Sequence, residues 1–316
     1  MSSIQKAQHI SKCLQLAMML EVSTQKPGNV SFVTSFEKTR VEHFLASAVV
    51  AGPSFQSAAL RGVAVARGRL RIENLGIGGL IKDCLEDVAS WQQGGNTILG
   101  TVMLFVPLAV AAGMAMSSKP RGCFDFLVLR RNLDLVVKAT SAVDAVELYE
   151  AIDIACPSGL GGAPDLDVTK ADSKKRLLEE NVSLFEVFRL ATDYDDICYE
   201  WVNNYPLTFD LAYPYLSEQL KNKSLSTAVV HTFLKILSVR PDTFIARKMG
   251  RSKAQEVSKE AQFILELGGL ETSKGRERLC QFDQTLRNAG NACNPGTTAD
   301  LTATTLALCV FGGYRP

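Results

Sequence analysis

Ile98-Leu99-Gly100-Thr101-Val102-Met103-Leu104-Phe105-Val106-Pro107-Leu108-Ala109-Val110-Ala111-Ala112-Gly113-Met114-Ala115-Met116 is the stretch on which the fold turns. Thr101 is its only polar side chain, and its length would just span a bilayer. Pro107 and two glycines interrupt it, and the polar Gly94-Gly95-Asn96-Thr97 leads straight into it. No second segment of comparable length accompanies it. These features predict a central helix buried on all sides of an α-helical protein, not a membrane span.

The flanking sequence supports that reading. Over residues 3–24, Ile4, Ala7, Ile10, Leu14, Ala17 and Met18 recur at helical spacing. Glu21 closes this helix near the loop Lys26-Pro27-Gly28-Asn29-Val30. Because proline disfavours helical geometry in the residue before it, the loop is expected to hold Lys26 away from the helix end. Residues 40–66 read as a helix pair broken near Gly52-Pro53. Residues 75–92 are amphipathic, with Leu80, Ile81, Leu85, Val88 and Trp91 inward. Further helices follow at about 122–139 and at 142–155, the latter capped by Ser141. The longest loop signal is Pro157 to Val168, whose glycines allow close backbone approach and whose Asp165 and Asp167 face either solvent or a site. From Ser173 to Tyr205 the pattern is again helical. Residues 224–239 carry His231, read as a core or boundary histidine. Asp242 is placed at an N-cap, with Arg247 and Lys248 one turn on, and helices 252–267 and 272–290 complete the set. No strand alternation, glycine-rich nucleotide fingerprint, repeat or linker is present. The expectation is an all-α single compact domain over residues 1–316.

Composition narrows the function. The 316 residues carry 34 Lys and Arg against 33 Asp and Glu, which argues against a nucleic-acid binder. Eight cysteines without a C-x-x-C pair suggest reduced thiols in a cytoplasmic protein. Three histidines lack ligand spacing, so a zinc site is not expected.

A polar run near the C-terminus, Asp283 to Asp300, is mounted on an almost wholly apolar tail. Asp283 and Arg287 are four apart and share a helix face. Gly290 or Asn291 can end that helix in a left-handed cap, and Pro295-Gly296 forces a turn. Thr297 or Thr298 then caps the last helix, with Asp300 in its first turn. Such a turn is either an ordinary helix–helix connection or a presentation of amides and carboxylates to phosphate or metal.

Together, four landmarks resemble the triphosphoribosyl-dephospho-coenzyme A synthase family. They are Glu21 with Lys26-Pro27-Gly28-Asn29-Val30, then Gly94-Gly95-Asn96-Thr97 with Gly100, then Pro241-Asp242-Thr243 with Arg247 and Gly250, and finally Asp283 with Asn294-Pro295-Gly296-Thr297-Thr298-Ala299-Asp300-Leu301. The resemblance implies an all-helical, Mg-dependent transferase. It would move the triphosphoribosyl group of ATP to the ribose 2′-hydroxyl of 3′-dephospho-CoA and release adenine. Two departures stand out. Members known for that chemistry carry His-Asp-Met after the Lys-Pro-Gly loop, where this chain offers Glu37, Glu42 and His43. They also have Asn-Thr-His where this chain has Asn96-Thr97-Ile98. This chain looks more like the archaeal and C1-metabolising bacterial branch, found near genes for tetrahydromethanopterin synthesis.

The roles implied are Lys26, Gly28, Asn96, Thr97, Arg247 and Asn294 on substrate and phosphates, and Asp283 and Asp300 on Mg²⁺. Glu21 and Asp283 are the catalytic carboxylates, with Glu21 the base for the acceptor hydroxyl or the stabiliser of the sugar cation. Asp167 is a lesser candidate. The partners are ATP and a nucleotide-like acceptor, with no nucleic acid and no membrane. Two other functions remain: a nucleotide-dependent enzyme of tetrahydromethanopterin cofactor synthesis, and a non-catalytic nucleotide-binding homologue.

Overall fold

The computed structural model describes residues 2–115, 124–160, 162–163 and 165–316. Met116, the helix start expected near 122, Cys123, Gly161 and Pro164 lie outside them. Among the described residues the protein is all-α, and the only bridge between extended residues joins Ser31 to Thr34. The helices are α1 (Ser3–Ser23), α2 (Val41–Val50), α3 (Gly52–Ala66), α4 (Ile77–Trp91), α5 (Leu99–Met114), α6 (Phe126–Lys138), α7 (Ala142–Ala155) and α8 (Ala171–Glu179). They continue with α9 (Leu184–Ala191), α10 (Asp196–Val202), α11 (Tyr213–Asn222), α12 (Leu225–Val239), α13 (Thr243–Met249), α14 (Arg251–Glu266), α15 (Ser273–Asn288) and α16 (Gly296–Phe311).

The apolar stretch is α5, with every residue from Thr101 to Gly113 buried. No helix among the described residues is long and apolar enough to cross a membrane. Its neighbours come very close. A Cβ on Gly62 of α3 would lie 2.0 Å from the Val110 carbonyl oxygen, and one on Gly113 would lie 2.2 Å from that of Ala59. Two glycines, one from each helix, therefore set the α3–α5 separation.

Pro107 sits inside α5 and has no N–H for the Met103 carbonyl. Trp201 of α10 fills that vacancy: its Nε1–H donates to Met103 O at 3.0 Å. The Tyr205 hydroxyl donates to the next carbonyl, Leu104 O, at 3.1 Å. Both donors are fully buried. A buried proline kink is thus tolerated because two aromatic side chains satisfy the backbone around it.

Carboxylates join helices end to end elsewhere. Ser141 caps α7 in a capping box with Asp144, and Asp144 Oδ1 also accepts from Gly78 N–H in the first turn of α4. Glu200, fully buried, accepts from the Leu207 and Thr208 amides and from the Thr208 hydroxyl. It thereby starts a π-helical turn, Leu207–Ala212, that leads into α11. Neither that turn nor α11 was expected from the sequence.

The core falls into a large cluster built on α1, α3, α4, α5 and α16, and a smaller one built on α12, α14 and α15. Helix α12 feeds both, with Ala228 and Val229 in one and Val230 and Phe233 in the other. His231 on that helix is buried, its Nε2 accepting from Leu270 N–H at 3.0 Å. The inward placement of Trp91 is corrected: it is 72% exposed, because α4 ends there and its last turn clears the neighbouring helices.

Candidate active site

A cavity of about 930 Å³ opens between the entrances of α5, α14 and α16, the C-terminal end of α1, and the α7–α10 region. The α5 entrance is a built turn. Asn96 Oδ1 accepts from Leu99 N–H at 3.0 Å, and the Thr97 hydroxyl bonds the Ser47 hydroxyl at 2.8 Å. Gly95 stands at φ +74°, a conformation that a residue with a side chain rarely adopts. The α16 entrance is held from outside. Thr297 and Thr298 do not cap it with their own side chains; Asp242 does, its Oδ2 accepting from the Thr298 amide at 2.8 Å and hydroxyl at 2.7 Å. Asp242 Oδ1 meanwhile caps α13 through the Phe244 and Ile245 amides. One buried carboxylate therefore locks two helix starts at the cavity wall.

Glu21 and Asp300 both line the cavity. Glu21 Oε1 lies 3.0 Å from Lys26 Nζ. Asp300 is the fifth residue of α16, so it stands beyond the first turn where it was expected. Its carboxyl instead meets the N-terminal turn of α5. Oδ1 accepts from the Thr101 hydroxyl at 2.5 Å. Burial pushes the Asp300 carboxyl up to about 7, with the Glu21 and Asp242 charges adding to the rise and Thr101 opposing it. Asp300 can approach this closely because residue 100 is glycine: a Cβ there would lie 2.1 Å from Asp300 Oδ2.

The lining also carries arginines among aspartates. Arg247 pairs with Asp195 at 2.5 Å, and Asp195 also caps α10. Arg240 pairs with Asp196 at 2.5 Å and packs over the Tyr199 ring. Arg251 opens α14 beside them and lines the same space. Burial raises the Asp196 carboxyl to about 6, against the pull of Arg240. Asn291 and Asn294 bond each other on this side, and Asn294 Oδ1 is buried without a partner.

Of the expected site residues, the structure brings Glu21, Asn96, Thr97, Arg247, Asn294 and Asp300 to one cavity, while Lys26, Gly28 and Asp283 lie behind its wall. Lys26 is not held out from α1. It folds back beneath it, fully buried, with its ammonium on the Glu21 carboxylate and on the Glu21 and Thr24 carbonyls. Three acceptors use its three donors, leaving none for a phosphate. Gly28 takes φ +72° in the turn closed by Asn29 N–H to Lys26 O, packed against Leu286 and Pro295. Asp283 accepts from the Gly28 amide at 2.7 Å and from Arg287 Nε at 2.9 Å, tying the loop to α15. It shares no site with Asp300. Asp167 lines the cavity, but its oxygens accept from Ala163 and from the Thr169 amide and hydroxyl.

Among the described residues no group of three or more His, Cys, Asp or Glu side chains is arranged to hold a metal ion. Magnesium does not need such a cage, since it binds through one or two carboxylates plus substrate phosphates. Glu21 and Asp300 offer hard oxygen donors on the cavity wall; Asp283 does not.

The sequence matches the family model of ATP:dephospho-CoA triphosphoribosyl transferases over residues 7–315. The chain belongs to that family. Proteins from two strains of Pseudomonas aeruginosa, each named "Probable 2-(5''-triphosphoribosyl)-3'-dephosphocoenzyme-A synthase", are 38% identical to it over 84 residues. The matched stretch spans 27% of this chain and 27% of theirs. A crystal structure from Archaeoglobus fulgidus, described provisionally as a triphosphoribosyl-dephospho-CoA synthase, covers 86% of this chain with a TM-score of 0.60 at 22% identity, which establishes a shared fold. Within the family frame, the sequence reading passed over Asp195, Asp196, Arg240 and Arg251, which look like ordinary helix-end charges. Thr101 had a signal, as the one polar side chain in an apolar helix.

Proposed function

We propose that this family member transfers the triphosphoribosyl group of ATP to the ribose 2′-hydroxyl of 3′-dephospho-CoA and releases adenine, in the cytoplasm. The observation that carries this reading is one cavity lined both by the carboxylates Glu21 and Asp300 and by Arg240, Arg247 and Arg251. Breaking the bond between the ribose C1 and adenine builds positive charge on the sugar, which a carboxylate at the reacting carbon stabilises. The electron pair of that bond leaves with adenine, which takes up one proton to become neutral, matching the one the acceptor hydroxyl gives up. The acceptor oxygen supplies the pair for the new bond, and its proton passes to a carboxylate.

Glu21 suits that proton, since Lys26 and the backbone beneath it fix its carboxylate in place. Arg247 and Arg251 face the triphosphate, with the start of α14 beside them. Mg²⁺ is proposed to enter with the triphosphate and to meet Asp300; bound there, it would neutralise phosphate charge.

The test is direct. ATP, Mg²⁺ and 3′-dephospho-CoA are incubated with the protein, and products are separated by chromatography and mass spectrometry. Free adenine and an acceptor heavier by one triphosphoribosyl group are expected; ADP or AMP would mean a kinase or ligase. One observation favours a second acceptor. Ile98, buried on the cavity wall, stands where members known for the chemistry carry His. Adenine release that needs a pterin-type acceptor, and not dephospho-CoA, would place the chain in tetrahydromethanopterin cofactor synthesis. Nucleotide binding with no turnover on either acceptor would identify a non-catalytic homologue.

A further inference from the structure

Asp300 reaches the cavity from α16, yet the contacts that orient its carboxyl come from α5. The Thr101 hydroxyl bonds it, and the side chain of any residue but glycine at position 100 would displace it. Thr101 is the third residue of α5, so its side chain stands at the helix start beside the cavity. Asp300 is therefore held by a side chain from a different helix. In return it loses the rotational freedom that a carboxyl on a helix face ordinarily keeps.

Threonine is otherwise out of place here. Its neighbours in α5 are apolar and buried, and valine would fill the same volume. In the buried threonine run of α16, the Thr302, Thr304 and Thr305 hydroxyls donate to carbonyls of their own helix four residues back. Thr298 donates instead to the Asp242 carboxylate that caps its helix, and Thr101 donates to the Asp300 carboxylate on the cavity wall. The charged groups facing that carboxylate are Glu21 from α1, backed by Lys26, and Asp242 from the start of α13. Both face Asp300 with negative charge, and Thr101 is the hydrogen-bond donor that holds it against them.

We propose that Thr101 is a positioning residue for the reaction, acting wholly through Asp300, with Gly100 supplying the space in which the carboxyl is set. This rests on the triphosphoribosyl-transfer reading for its kinetic arm only; the placement of Asp300 is testable without turnover. Thr101→Val removes the hydroxyl and keeps the shape, Thr101→Ser restores it, and Asp300→Asn removes the charge. In the adenine-release assay, Thr101→Val is expected to lower kcat about 10- to 100-fold, with KM for ATP changed less than threefold and Thr101→Ser close to wild type. In the Asp300→Asn background the same Thr101→Val change is expected to have no further effect on kcat, since its route of action is gone.

A merely structural threonine gives a different pattern. Thr101→Val then lowers kcat by the same factor in both backgrounds, in step with the melting temperature, and that result overturns the proposal. So does a Thr101→Val protein with wild-type kcat. If the wild-type protein releases no adenine from ATP, the transferase reading falls. The positioning claim is then decided by crystal structures of metal-free Thr101→Val and Thr101→Ser. A rotated Asp300 carboxyl in the first and a native one in the second supports it; a native carboxyl in both overturns it.

Discussion

Lys26 is a fully buried lysine in a protein with no shortage of exposed ones, and its chemistry follows from its three oxygen partners. Burial alone pulls its ammonium below the usual lysine range, and the Glu21 carboxylate pulls it back up. Lys26→Met is expected to destabilise the protein by about 3–5 kcal/mol in chemical denaturation, the typical cost of removing one partner from a buried ion pair. A phosphate-binding lysine would behave oppositely, losing ATP affinity at unchanged stability. Glu200 carries a second residue-scale prediction. Burial raises its folded-state carboxyl from the ordinary glutamate value of 4.5 to about 7. The folded protein therefore holds this proton more tightly than the unfolded chain does, so this group's contribution to stability falls as pH rises from about 4.5 to 7 and is flat beyond. Glu200→Gln should remove on the order of 2–3 kcal/mol of that pH-dependent loss, read as a shallower slope of unfolding free energy against pH. A slope identical to wild type would refute it.

At the scale of elements, α5 shows what sequence patterning can and cannot convey. The apolar run, its interruption by Pro107 and its polar approach were enough to read a buried helix in a helical protein, and α5 is one. The rescue of the Met103 and Leu104 carbonyls was not legible, because Trp201 and Tyr205 lie about a hundred residues away and nothing local marks them as donors. Trp201→Phe should cost on the order of 1–3 kcal/mol beyond its packing loss, because it leaves a buried carbonyl unsatisfied. Pro107→Ala restores an N–H at that place, so in the double variant the Trp201→Phe penalty should shrink. Additive losses in thermal or chemical unfolding would contradict the account. The same limit governed the site. Local spacing marked Glu21, Asn96, Arg247 and Asp300, which do share a cavity. Lys26, Gly28 and Asp283 carry equally strong local signals, but theirs come from the turn that builds the wall. A carboxylate that braces a loop and one that meets a substrate look identical in sequence; only their partners differ.

On the scale of the whole molecule, the two cores share α12, and the close α3–α5 approach fixes the larger one. Gly62→Ala would put a methyl carbon 2.0 Å from the Val110 carbonyl, and backbone cannot rotate aside. Forced separation of the helices should cost at least about 1–3 kcal/mol. Gly68→Ala is strained differently: at φ +66° with nothing within 4 Å, it costs stability through its own backbone without pushing on a neighbouring helix. The cavity widens or narrows with α5, so the Gly62 variant should also bind ATP more weakly than its stability loss alone explains. Isothermal titration at a temperature where both variants are folded checks this.

Helix α16 packs against α1, α5 and α12, and it is the last helix in the sequence. During synthesis on the ribosome, the apolar faces of α1 and α5 leave the exit tunnel long before the helix that covers them. Until Leu301 to Phe311 arrives, the nascent chain carries an open greasy seam and an unfinished cavity wall. Contacts that must wait for nearly three hundred residues of chain make folding slow and the waiting state sticky. The protein should consequently depend on chaperones during production, and a ribosome-bound chain stalled before α16 should be captured by them far more strongly than one stalled after it.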